Sequence, residues 1–264
     1  MHVFELLQPG TWLQGFYEAH EVRCDVESLL RLLVGSVEDA AIALSLFEQS
    51  QAHAFVHTSA DKWEADGVLV RSIEAELERQ LPHDLSSDQR WNAMDRIRES
   101  ARAEAKRQRW RSGEVPEGYR QRMPFVHAKS FVYALDTLLK AAQQLSLLDG
   151  VPSEVDRHVK DLGAAFPDLI HVRDSAHHAE DRVRGMRRRA RIDLQPVVNE
   201  VIHAPSGGVL VIDMLSNNMY GGTLGDGSYG QVEVSAESLT KAGTAVQRIL
   251  DSFAWHGPPM HLPS

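Results

Sequence analysis

Cysteine is almost absent. Cys24 is the single one among 264 residues, so no disulfide can form within the chain. The fold must rest on core burial, for which the length is ample. The lone thiol reads as a small buried apolar side chain in a reducing compartment. No apolar run approaches the roughly 20 residues that a membrane-crossing helix needs. The opening MHVFELLQPG lacks the basic-then-apolar layout of a secretory signal, and the location expected is cytoplasmic. Several chemical signatures are missing too: a G-x-x-x-x-G-K-[ST] phosphate loop, paired C-x-x-C, H-E-x-x-H and G-x-S-x-G. The glycines at 221, 222, 225, 227 and 230 lie between short β-type runs and open no helix, which reads as hairpin punctuation. With 43% apolar and 25% charged residues, wholesale disorder is excluded.

Net charge is −9, from 28 basic and 37 acidic side chains, and it is unevenly placed. Residues 96–111 carry seven basic and two acidic side chains. Residues 182–191, RVRGMRRRAR, carry six arginines and no acid. The chain as a whole should not cling to polyanions, yet two short segments can. For 96–111 the expected role is a solvated helix face.

Periodicity sets the fold class as mainly α. Helical spacing of apolar residues runs from Asp25 to about Gln51, again over 66–80, and over 88–111 along a seam of Trp91, Met94, Ile97 and Ala101. Ser86-Ser87-Asp88 supplies the N-cap signal for the third segment. The broadest apolar face lies in 122–148, with Phe125, Ala128, Phe131, Val132, Leu135, Leu138, Leu139 and Ala142. A helix opens at Ser153, and another is expected from Leu169 to about Arg189. After residue 205 three β-type runs (VLVIDML, MYGGTL and YGQVEVS) predict a three-stranded antiparallel meander, and a final amphipathic helix begins at Ser235. The expected architecture is an antiparallel helical bundle over 1–205, with 206–264 a small meander and closing C-terminal helix packed on it. The tail GPPMHLPS is expected to fray.

Chemistry concentrates in FPDLIHVRDSAHHAEDR, residues 166–182. On a helix Asp174 and His178 share a face, but a catalytic metal site needs about three protein ligands, so no metal is expected. Arginine binds phosphate oxygens through a fixed fork of donors, and histidine titrates near neutrality. Together they suit RNA cleavage by the 2′-hydroxyl. His53, His57, His127, His158, His171 and His203 fall at no ligand spacing and read as core or surface fillers, and Tyr220, Tyr229 and Trp255 read as packing residues.

The run Arg173-Asp174-Ser175-Ala176-His177-His178 resembles the arginine, polar residue, three residues, histidine motif of the HEPN family (higher eukaryote and prokaryote nucleotide-binding domains). Arg173 matches the family arginine, Asp174 the polar position and His178 the histidine. The resemblance covers about residues 120–192. It implies an antiparallel helical bundle and a homodimer whose active site forms between the two copies. It also implies metal-independent endoribonuclease activity without a cofactor, as in toxins and defence effectors, giving a 2′,3′-cyclic phosphate. On that reading Arg173 binds the scissile phosphate, His178 acts as base or acid, and Asp174 orients His178. Arg182, Arg184, Arg187, Arg188, Arg189 and Arg191 would gather the RNA. Other members of the family have lost activity, so the alternative is a non-catalytic, homodimeric interaction or ligand-binding module, which the net charge of −9 favours.

Overall fold

The computed structural model describes residues 1–15, 20–54 and 60–263. Two short strands, β1 (Leu6–Gln8) and β2 (Trp12–Leu13), precede α1 (His20–Ala54), α2 (Ala60–Arg79), α3 (Ser87–Arg111), α4 (Glu117–Ser146), α5 (Glu154–Ala165), α6 (Leu169–His177) and α7 (Ala179–Arg182). Two-residue strands β3 (Met186–Arg187), β4 (Ala190–Arg191), β5 (Val197–Val198) and β6 (His203–Ala204) follow. Then come β7 (Met214–Ser216), β8 (Met219–Thr223), β9 (Tyr229–Glu233), α8 (Ala236–Asp251), β10 (Trp255–His256) and β11 (Met260–Leu262). The fold is mainly α, and no helix among the described residues is long and apolar enough to cross a membrane.

The chain forms two compact units, residues 1–50 with 123–264, and residues 51–122. This differs from a division at residue 205. The cause is that the meander and α8 share one core with α1 and α4: Leu33, Leu44 and Phe47 of α1, Phe131, Leu135 and Leu138 of α4, Tyr220 and Val232 of the sheet, and Val246 and Ile249 of α8 are all buried in it. The sheet has the order β7-β8-β9, antiparallel throughout, and rests on α6 while α8 packs on α5. Of the first β-type run only Met214 and Leu215 join a strand, β7, because Asp213 takes a left-handed φ of 51° and breaks the run. The tail does not fray: Leu262 pairs with Leu6, and Trp255 with Leu13.

In the second unit, the start of α2 meets the end of α3. Lys62 Nζ lies 2.8 Å from Glu114 Oε1, and Arg109 is ion-paired with Asp66. Ser86 and Gln89 form a reciprocal capping box at the start of α3. Ile97, Ala101 and Ala105 are buried, whereas Trp91 stands off the expected seam, exposed. Cys24 is likewise exposed on α1 rather than buried.

Candidate functional site

Helix α6 turns Leu169 and Val172 into the core. The opposite face then carries His171, Asp174 and His178, spaced three and four residues apart as a 3.6-residue turn requires. The helix does not continue to Arg189 as expected. The His178 N–H donates to the Asp174 carbonyl and the backbone then leaves the helical region, at φ −102° and ψ 43°. No apolar stripe follows Ala176 to hold a longer helix against the core. After the single turn of α7, Gly185 takes φ 65° and the arginine run folds back as the β3–β4 hairpin, Met186 opposite Arg191 and Arg187 opposite Ala190. Arg188, the first residue of its two-residue turn, has a left-handed φ of 56°.

These elements and the β8–β9 loop enclose a cavity of about 330 Å³. The α6–α7 segment lines it with His171, Asp174, His178, Asp181 and Arg182, the hairpin with Arg187 and Arg188, and the loop with Gly225. Apart from Gly225, every lining side chain is polar or charged. A Cβ added at Gly225 would lie 3.0 Å from Arg187 Nε and 3.2 Å from Arg182 Nη2. The glycine backbone is therefore what lets the two guanidiniums approach the loop.

Of the sequence-derived set, Asp174, His178, Arg182, Arg187 and Arg188 meet at this cavity. Arg182 is only 6% exposed; its Nε donates to Ser175 Oγ at 3.2 Å and its Nη1 to the Met186 carbonyl at 2.8 Å, tying hairpin to helix. Arg184, Arg189 and Arg191 are exposed and do not line it. Among the described residues Arg187 and Arg188 make no ion pair, and the contact of Arg184 with Asp181 is 3.9 Å long. Arg173 is also outside the cavity lining. Its Nε stands 3.1 Å from Asp136 Oδ2, its Nη1 donates to Asp174 Oδ1 at 3.1 Å, and its guanidinium lies 5.5 Å from the centre of the Tyr133 ring. Asp136 is buried, also binds Lys140 Nζ at 2.7 Å, and leaves its Oδ1 without a hydrogen bond. Arg173 thus reaches the cavity only through Asp174.

His178 Nδ1 lies 3.6 Å from Glu180 Oε1, and its ring meets His177 edge to face. The Glu180 carboxyl is held below its ordinary range by its own backbone N–H first and then by His178. On the loop, Ser228 donates from Oγ (2.7 Å) and N (3.0 Å) to Asp226 Oδ1. Those bonds hold the Asp226 carboxyl low, with the charge of His171 adding to them.

His171 and Asp181 line the cavity as well, outside the sequence-derived set. The signal for both was in the sequence: 171, 174, 178 and 181 follow a polar three-four-three spacing beside the apolar 169, 172 and 176. His127 and Lys129 on α4 do not face this cavity. Lys129 Nζ pairs with Asp213 Oδ2 at 2.7 Å, and His127 lines a separate groove with Asp39 and Tyr133. Tyr220 is buried with its hydroxyl donating to Asp213 Oδ1. His57 and the His53 side chain lie outside the described residues. Among the described residues no group of three or more His, Cys, Asp or Glu side chains has the arrangement of a metal site. Compared with family models, curated proteins and solved structures, the chain matches none.

Proposed function

We propose that the chain is a metal-independent endoribonuclease of HEPN-like type that holds a phosphodiester in the cavity between α6–α7, the β3–β4 hairpin and the β8–β9 loop. The observation that carries this reading is the convergence of three guanidiniums and the His178 imidazole on one small polar cavity, with Arg187 and Arg188 uncommitted to any carboxylate among the described residues. Guanidinium forks match phosphate oxygens, and their charge offsets the negative charge that grows on the phosphoryl group during attack. His178 takes or gives a proton; the 2′-oxygen bonds to phosphorus, the 5′-oxygen leaves, and the product ends carry a 2′,3′-cyclic phosphate and a 5′-hydroxyl. The step is an internal transfer and consumes no co-reactant. Arg173 supports the site through Asp174, while Arg184, Arg189 and Arg191 attract the flanking strand. The resemblance contributes the homodimer, and the single cysteine, read as a thiol of a reducing compartment, contributes the cytoplasmic location.

The test is incubation of the purified protein with mixed-sequence single-stranded RNA in excess EDTA. Cleavage to cyclic-phosphate ends, lost in His178→Gln, is the outcome expected. Cleavage that EDTA abolishes sinks the metal-independent reading. One observation favours the non-catalytic module instead: the family arginine, Arg173, is occupied by Asp136 and Asp174. That reading gains if no cleavage occurs while Arg173→Ala alters assembly in sedimentation.

A further inference from the structure

We infer that His171 is the second proton-transfer group of this site, working opposite His178. The inference rests on the endoribonuclease reading and adds to it a residue that the motif does not contain. Internal transfer at a phosphodiester needs two proton movements, one off the attacking 2′-oxygen and one onto the departing 5′-oxygen. Asp174 and Asp181 also line the cavity, but an aspartate at neutral pH is an acceptor and an arginine keeps its proton. His171 is the remaining lining side chain able both to accept and to donate near neutrality.

The spacing suits the task. His178 caps α6 seven residues after His171, so at 1.5 Å per residue their backbones lie roughly 10 Å apart along the axis. With Asp174 between them, two imidazoles so placed flank a phosphoryl group rather than crowd one side of it. His178 has an acidic neighbour as well: Glu180 Oε1 stands 3.6 Å from its Nδ1. Both histidines are exposed, so substrate can reach them. In the step, one imidazole takes the 2′-hydroxyl proton as the 2′-oxygen–phosphorus bond forms. The other, as imidazolium, gives its proton to the 5′-oxygen as the phosphorus–5′-oxygen bond breaks. The pair ends with its protonation exchanged, and solvent resets it.

The experiment compares wild type, His171→Gln and His178→Gln on an RNA and on the same RNA with sulfur replacing the bridging 5′-oxygen at the cleaved position. A thiolate leaves without a proton, so the sulfur substrate removes the need for the acid alone. Each variant should lose about 10²–10⁴-fold in rate on the all-oxygen RNA. The sulfur substrate should restore one of the two variants and not the other. Both variants should bind a 2′-deoxy analogue as wild type does, which excludes simple loss of structure. If His171→Gln cleaves all-oxygen RNA at the wild-type rate, or if sulfur rescues both variants or neither, His171 does not have this role and the endoribonuclease reading stands without it. If wild type cleaves neither RNA, the reading itself falls and takes this inference with it.

Discussion

Replacing Arg188 by glycine should make the protein more stable and weaken its hold on RNA. At φ 56° a side chain with a Cβ crowds the following carbonyl, at a cost of roughly 1–2 kcal/mol that glycine escapes. Glycine gives back about 0.4–1 kcal/mol through the greater freedom of the unfolded chain. The net expectation for Arg188→Gly is a gain of about 0.5–1 kcal/mol, or a rise of about 1–4 °C in Tm at this chain length. Arg188→Ala keeps the Cβ and so gains nothing from strain relief, yet loses the same guanidinium. Both variants should bind single-stranded RNA more weakly than wild type, and each should flatten the log–log salt dependence by about 0.7 if Arg188 neutralises one phosphate. Thermal unfolding and fluorescence anisotropy across a salt series, on wild type and the two variants, measure both quantities. Equal stability of the Gly and Ala variants would refute the strain reasoning. An unchanged salt slope in both would refute the placement of Arg188 at the ligand.

Gly225→Ala should weaken RNA binding several-fold and lower Tm, because its Cβ would press on Arg187 Nε and on the buried Arg182 guanidinium that ties hairpin to helix; anisotropy beside thermal melting checks this. Asp136→Asn removes the buried partner of Arg173 and Lys140 and should cost about 2 kcal/mol in urea unfolding, a figure reduced because Arg173 is partly exposed. Burial first, then the charges of Arg157 and Arg248, hold the His158 imidazole below its ordinary value of 6.5. The unfolded chain therefore takes up a proton that the folded one refuses, so stability is full above about pH 6.5 and falls as pH drops through the depressed value. His158→Phe should flatten that decline in urea midpoints measured at about pH 7.5 and about pH 5.5. Changing Arg187, Arg188 and Arg189 together to Gln should flatten the RNA salt slope by about two units if all three contact phosphate, and an unchanged slope ends the idea of an RNA-gathering hairpin.

Local signals were legible where one element decides its own structure. The apolar face of 122–148 became α4, Ser86 and Ser235 cap the helices that they introduce, and the meander pairs in the expected order. What escaped depends on distant partners. Strands β1 and β2 are two or three residues long and are specified by β11 and β10, more than 240 residues away, which no periodicity window can see. The arginine run read as helix because arginine is a good helix former; the conformations of Gly185 and Arg188, not propensity, turned it into a hairpin. At the site, Asp174 and His178 were found through the motif. His171 reads as a filler because, like the other scattered histidines, it stands at no ligand spacing.

The larger unit is interrupted in sequence: residues 1–50 complete their core only with residues 123–264. At about 5–20 residues per second of synthesis, α1 waits on the order of 10–40 s for α8 to be made. Through that interval Leu33, Leu44 and Phe47 lack their final neighbours. The segment from 51 to 122 meets its own partners within the same stretch and needs no such wait. Nascent chains of this protein therefore pass through a stage in which a finished helical hairpin follows an unfinished, adhesive α1. A chaperone that captures exposed apolar helices should bind these chains until the last helix emerges.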